Sequence, residues 1–357
     1  MLRVTGFLKE QVDLKFILSP FANKSLCDAV SETYGNYHTF FTPAAFPFML
    51  WSLIRAAGLS MNHRKSVFLI WCHHPDSNRW LQLWLALSGR KFIVVERSVP
   101  SDINSFKRSR LSIPIKRFVI SRAWCVVQPG WSSVAQYKTL FGEPKRKKVI
   151  PNSRPVDKIS NEVALIKQSG AKTFPYQGKV ICTVGRLSHE KGLLSLIQAY
   201  AVVFERTQCS LLIVGEGPEE EALKEEVKRL ALSYVFFSGY SSHIESYLAE
   251  ADIFVLNSLL EGLPGALIEA MAAGLPCVAT DIPGNRELIQ HMKTGLQVPV
   301  NDVDTLASAI LEYISNPALA ATLANNAYHL VQQEYTVEQE QKRWLQLATD
   351  IFSNSAA

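Results

Sequence analysis

The chain has 357 residues, 48% of them hydrophobic and 19% charged. That length and balance suit two folded domains and exclude disordered, collagen-like and coiled-coil classes. The net charge of +5 hides a division: residues 1–150 hold 22 Lys/Arg against 8 Asp/Glu, whereas residues 151–357 hold 15 against 24. A basic half followed by an acidic half points to two domains that meet different partners. Cysteines at 26, 72, 125, 182, 209 and 277 lie far apart with no CxxC pair, so free buried thiols in a reducing compartment are expected. No apolar run approaches the roughly 18 residues of a membrane span, and the first residues lack a signal-peptide core. The expected location is cytoplasmic, with the chain soluble or lying on an anionic membrane surface.

In chain order, short apolar runs at 14–18, 67–71, 92–95, 125–127 and 148–150 read as strands. The segment 151–157, with two prolines among turn formers, reads as a stiff linker and the best domain boundary. From residue 178 the rhythm sharpens. Strands are expected at 180–184, 211–214, 235–237, 253–256 and 277–279, and helices at 193–204, 219–232, 244–249, 267–273 and 306–314. Strands without polar alternation, each followed by an amphipathic run, indicate βα units and parallel sheets covered on both faces. Ligands of such sheets bind at the carboxyl ends of the strands.

One segment carries the most chemistry: Ser258, Glu261, Gly262, Pro264, Gly265, Glu269, Gly274 and Pro276 follow the strand 253–256 and enter a helix near Gly265. Free amides at a helix start, with the macrodipole, favour an anion. Carboxylates beside such a site are suited to sugar hydroxyls rather than to phosphate; a helix cap with a surface carboxylate is the plainer alternative. A second segment, Gly185-Arg186-Leu187-Ser188-His189-Glu190-Lys191-Gly192, also joins a strand to a helix. Its guanidinium and ammonium can clamp phosphate oxygens, or stand on a solvated loop. Gly215 and Gly217 resemble the start of a dinucleotide fingerprint, but the third glycine is missing and Glu219, Glu220 and Glu221 would repel a pyrophosphate. Asp302 and Asp304 resemble a DxD metal pair, yet they precede a helix and fit an N-cap better.

Glu261 and Glu269, with seven residues between them and Ala-Met-Ala following, resemble the E-x7-E signature of the retaining family 4 glycosyltransferases. The Gly185–Gly192 loop is similar to that family's G-R-L-x-x-x-K-G. The resemblance implies an α/β chain of the GT-B fold: two Rossmann-like parallel-sheet domains facing across a cleft. It implies an acceptor-side domain over 1–157, a nucleotide-sugar donor domain over 158–334, and a C-terminal helix from 335 to 357 crossing back to the first. It also implies a hexosyltransferase that moves a hexose or N-acetylhexosamine from a nucleoside-diphosphate sugar to a glycan or lipid-linked acceptor, with retention. A nucleotide-sugar-binding subunit without transfer is the alternative. By the same resemblance Glu261, Arg186 and Lys191 are catalytic, Glu269 binds ribose, and Gly262, Gly265, Ala266 and Leu267 surround the diphosphate and sugar. Gly185, Gly239 and Tyr240 border the nucleotide, and no metal or other cofactor is required.

Two departures fall in the first half. The family's glycine-rich first loop has no counterpart, so the domain is expected either to lack its first βα unit or to carry a strongly diverged one. Arg97, in Val95-Glu96-Arg97-Ser98, stands where many relatives place a histidine near the sugar, and is expected to bind substrate or to form a buried pair with Glu96. His73 and His74 end another strand and are read as structural. The cations Lys107, Arg108, Arg110, Lys116, Arg117 and Arg122, and the run 145–148, could meet anionic lipid. Trp80, Leu83, Trp84 and Leu87 share a helical face suited to lipid or, more simply, to packing. No aromatic-interleaved basic strand suggests nucleic acid.

Overall fold

The computed structural model describes residues 17–18, 38–39, 67–72, 79–96, 112–170 and 172–353. Contacts divide the chain into two units, residues 1–151 with 340–357, and residues 152–339.

In the first unit, β1 (Ile17–Leu18) and β2 (His38–Thr39) form a short parallel pair. A parallel sheet follows in chain order: β3 (Phe68–Cys72), β4 (Phe92–Glu96), β5 (Cys125–Gln128) and β6 (Lys147–Val149). Helices α1 (Arg79–Leu87), α2 (Ser112–Arg122) and α3 (Trp131–Phe141) connect these strands. Period-two alternation sends Phe92 and Val94 to one face, against Leu85, Val119, Ile120 and Phe141. Ile93 and Val95 go to the other, against Trp344, Leu347 and Ile351 of α12 (Val337–Ser353). The expected strand 14–18 is represented by β1 alone, and the matter of a missing first βα unit lies mostly outside the described residues. So do His73, His74, Lys107, Arg108 and Arg110.

Several cations expected to face a membrane are engaged inside this unit. Lys116 is buried, its ammonium 2.7 Å from Glu96. Lys147 pairs with Glu143 at 2.6 Å and Lys148 with Asp350 at 3.0 Å, while Arg146 and Lys91 lie over the Trp124 ring. The clustering of basic residues along the chain therefore overstated the free positive charge. On α1, Leu83 and Trp84 pack against the core while Leu87 is exposed. No described helix is long and apolar enough to cross a membrane.

The second unit opens with α4 (Val156–Ser169), which starts inside the expected linker because Val156, Ile159 and Val163 make a buried stripe at helical spacing. Six parallel strands follow: β7 (Val180–Val184), β8 (Ser210–Val214), β9 (Val235–Gly239), β10 (Ile253–Leu256), β11 (Cys277–Thr280) and β12 (Leu296–Val298). Their order is β12-β11-β10-β7-β8-β9, the doubly wound order in which β7 and β10 are neighbours and the winding reverses between them. Helices α5 (Leu193–Thr207), α6 (Glu220–Arg229) and α10 (Val303–Ser315) supply one face, which buries Ile181, Ile213, Ile253 and Val255. The other face buries Cys182, Leu212, Phe254 and Leu256 against α4, α7 (Glu245–Glu250), α8 (Gly265–Ala272) and α11 (Pro317–Glu334). A short helix, α9 (Pro283–Arg286), links β11 to β12.

Both decoys are structural. Gly215 donates its amide to Gly239 at 2.9 Å in a plain strand-to-helix turn. Asp302 is the N-cap of α10, accepting from the Thr305 amide at 2.9 Å. The five described cysteines are buried.

Candidate functional site

The loops that leave β7 and β10 meet at the point where the winding reverses. After β7 the chain passes Gly185 and Arg186, then makes a 3-10 turn over His189–Lys191. Gly192 closes that turn at φ +61°, and a methyl group there would overlap the Asn257 carbonyl just after β10. Only glycine allows both the left-handed backbone and that approach. Asn257 secures the contact by donating through Nδ2 to the Gly192 carbonyl at 2.7 Å, and the Leu259 amide donates to the Glu190 carbonyl at 2.8 Å. The two loops are thus sewn together by backbone groups, which fixes the side chains they carry.

Lys191 reaches Glu261, Nζ to Oε1 at 2.5 Å, with both side chains less than a quarter exposed. Ser258 donates to the same carboxylate oxygen at 2.8 Å. Behind Ser258 its carbonyl accepts from Thr280 Oγ1 at 2.5 Å, and Thr280 in turn is held by Asn285 Nδ2 at 3.1 Å. This relay fixes Glu261 from β11 and α9. Gly284 of α9 packs against the carbonyls of Glu261 and Gly262, with no room for a methyl group. The Arg186 side chain is exposed and makes no ion pair or hydrogen bond among the described residues, while its carbonyl accepts from the Ser188 amide at 3.0 Å. Gly185, Arg186, Lys191, Val214, Leu256 and Ser258 line a crevice at the strand ends.

Helix α8 begins at Gly265, with Pro264 as N-cap rather than first helical residue and no side chain capping the amides. The Leu267 side chain is fully buried in the core, so its amide is the part that can serve a ligand at this end. One turn on, Glu269 accepts from Arg154 Nε, Oε1 to Nε at 2.5 Å. Burial raises the Glu269 carboxyl above its usual range; Arg154 opposes the shift and Glu245 adds to it. Tyr240, at the end of β9, is exposed, with Gly239 beside it at φ +71°. Arg97 lies outside the described residues. Its neighbour Glu96 is buried and pairs with Lys116, and the expected Glu96–Arg97 pair falls outside the described residues with Arg97. Among the described residues no cluster of three or more His, Cys, Asp or Glu side chains could hold a metal.

The structure therefore brings Gly185, Lys191, Glu261 and Gly262 together at one strand end. It sets Gly265, Ala266, Leu267 and Glu269 on the adjoining helix. The residue that sequence reasoning missed is Arg154. It lies in the expected linker 151–157, where its one local signal is a long cation among turn formers.

Residues 166–330 match the family model for glycosyl transferases group 1. Over 189 residues, 52% of the chain and 53% of the relative, it is 31% identical to an uncharacterized glycosyltransferase of Haemophilus influenzae. It is 30% identical over 51% of its length to the Escherichia coli UDP-Gal:alpha-D-GlcNAc-diphosphoundecaprenol alpha-1,3-galactosyltransferase, covering 49% of that protein. The chain spans about half the length of the curated relatives it matches. Among solved structures, Anabaena HepE in complex with UDP superposes with a TM-score of 0.80 at 20% identity, over 98% of this chain and 95% of that one. That likeness shows the fold, GT-B, built of two parallel α/β units. Residues 166–330 thus match the model for glycosyl transferases group 1, and over about half its length the chain is similar to curated glycosyltransferases.

Proposed function

We propose that this chain transfers a hexose or N-acetylhexosamine from a nucleoside-diphosphate sugar to a hydroxyl of a glycan or lipid-linked acceptor, with retention of anomeric configuration. The observation that carries the reading is the placement of Arg186, Lys191, Glu261 and Glu269 on the loops and helix that follow β7 and β10, where the winding reverses. Arg186, Lys191 and the first amides of α8 take the diphosphate. Glu269 accepts from the ribose hydroxyls, Glu261 orients the sugar, and Gly239 and Tyr240 border the base. In the reaction the C1–O bond to the diphosphate breaks and the acceptor oxygen bonds C1 on the same face. The hydroxyl proton passes to a leaving phosphate oxygen. Preorganised cations stabilise the charge that develops on the leaving group, so the proposal assigns no metal to the step.

The UDP of HepE and the UDP-Gal of the Escherichia coli relative support a UDP-sugar donor. The diphosphoundecaprenol acceptor of that relative, with the basic excess of residues 1–150, supports a lipid-linked acceptor at an anionic surface. Proton NMR of the product formed from an α-linked UDP-sugar tests the central point. An α-linked product is expected, and a β-linked one contradicts retention. Tight donor binding with no transfer or hydrolysis would instead favour a binding subunit.

The raised carboxyl of Glu269 gives a pH signature. A folded-state pKa above the ordinary 4.5 means that the charge costs stability at neutral pH, and that this cost disappears as pH falls through the folded value. The ionised form is the better acceptor for ribose hydroxyls. UDP affinity, measured by calorimetry from about pH 7.5 to pH 5, is therefore expected to decline before an ordinary carboxylate would protonate. In Glu269→Gln it is expected to be weaker and to keep only the decline that protonation of the ligand's own terminal phosphate causes.

A further inference from the structure

Arg154 is held at three points. Its amide donates to the Tyr335 carbonyl at 2.9 Å, its Nη1 to the Ser153 carbonyl at 3.0 Å, and its Nε to Glu269 Oε1. The remaining nitrogen, Nη2, makes no hydrogen bond among the described residues and lies against Gly265, where a methyl group would overlap it. The guanidinium therefore bridges Glu269 and the first residue of α8, with one N–H edge unused beside the uncapped helix amides. It is partly exposed, so a ligand can reach it. On the other side, Glu269 Oε2 makes no hydrogen bond among the described residues and stays open.

The charges complete the argument. Lys191 is neutralised by Glu261 and Arg154 by Glu269, which leaves Arg186 as the one of these cations that makes no ion pair among the described residues. A positive helix end and an unused guanidinium N–H edge side by side offer donors to an anion that lies between them. We infer that Arg154 is a donor-binding residue: Nε holds the Glu269 carboxylate so that Oε2 meets the ribose, and Nη2 donates to the nucleotide phosphate at Gly265. This rests on the reading of the site as a nucleoside-diphosphate site, and it deepens that reading by tying ribose and phosphate recognition to one side chain.

Calorimetry on the full chain with UDP and with uridine tests it, comparing wild type with Arg154→Ala and Arg154→Gln. UDP affinity is expected to fall about ten- to hundredfold in Arg154→Ala, as for loss of a charge-assisted contact. Uridine affinity should change by much less, so the preference for the phosphorylated ligand shrinks. Arg154→Gln can still donate to Glu269 but carries no charge; it is expected to keep uridine binding and lose UDP affinity, and it serves if the alanine variant does not fold. Wild-type UDP affinity in either variant overturns the inference. Equal loss for UDP and uridine also overturns it, because Arg154 would then only position Glu269. A wild-type chain that binds no nucleoside diphosphate overturns the site reading itself, a separate result.

Discussion

Lys116→Ala is expected to destabilise the first unit by about 3–5 kcal/mol, the usual cost of removing one partner of a buried ion pair. The ammonium sits 2.7 Å from Glu96 Oε1, and the two side chains are 5% and 1% exposed. Lys116 also donates to Gln82 Oε1 at 3.0 Å, and Tyr137 donates to Glu96 at 2.7 Å. Gln82 in turn donates to the Cys72 sulfur at 3.2 Å. Without Lys116, a carboxylate is left in a site that already pushes the Cys72 thiol up, chiefly by burial and then by the charge of Glu96. Because the cost is an orphaned charge, the double variant Lys116→Met with Glu96→Gln should recover most of it. Urea unfolding at neutral pH measures both, and a loss below about 1 kcal/mol for the single variant would contradict the role given to the pair.

Arg186→Ala is expected to weaken binding of a nucleoside diphosphate about ten- to hundredfold, the worth of roughly 1.5–3 kcal/mol for one charge-assisted contact. The side chain is exposed and makes no ion pair or hydrogen bond among the described residues, so the change should leave the unfolding transition within about 0.5 kcal/mol of wild type. A loss of binding without a loss of stability separates this residue from Lys191. Lys191→Ala removes a ligand contact too, but it also leaves Glu261 without its ammonium partner, with only Ser258 donating to it among the described contacts. Its effect should therefore fall on turnover as well as binding, through a carboxylate no longer held in one orientation.

Much of the second unit was legible because its strands are continuous apolar runs and its helices carry wide apolar stripes. The strands at 253–256 and 180–184 match β10 and β7 residue for residue. What escaped had weak periodicity. β12 is three residues long, with Gln297 between its two apolar positions. α11 is rich in alanine, which marks no face strongly, and its Asn316 cap was visible only in retrospect. α4 hid behind two prolines that read as a linker, although Pro155 merely precedes its first turn.

The site divides in the same way. Glycines, the two glutamates and the Arg-Lys pair could be placed on loops from their spacing, since a strand-to-helix turn constrains them locally. The ion pair of Arg154 with Glu269 joins residues 115 positions apart in the chain, and no local pattern encodes it. The pairing of Lys116 with Glu96 was obscured for a related reason: a cation among other cations gives no sign that its own partner is a buried acid on a neighbouring strand.

The central claim is that the carboxyl ends of β7 and β10 form a nucleoside-diphosphate site. Thermal unfolding of the full chain with UDP, ADP, GDP and dTDP, repeated for Arg186→Ala and Glu269→Ala, tests it most directly, because a ligand that binds the folded state raises its stability by mass action. The account predicts that at least one of these ligands, UDP first among them, raises the melting temperature of wild type, and that the shift is largely lost in both variants. No shift with any nucleoside diphosphate, or a shift that both variants retain in full, would contradict it.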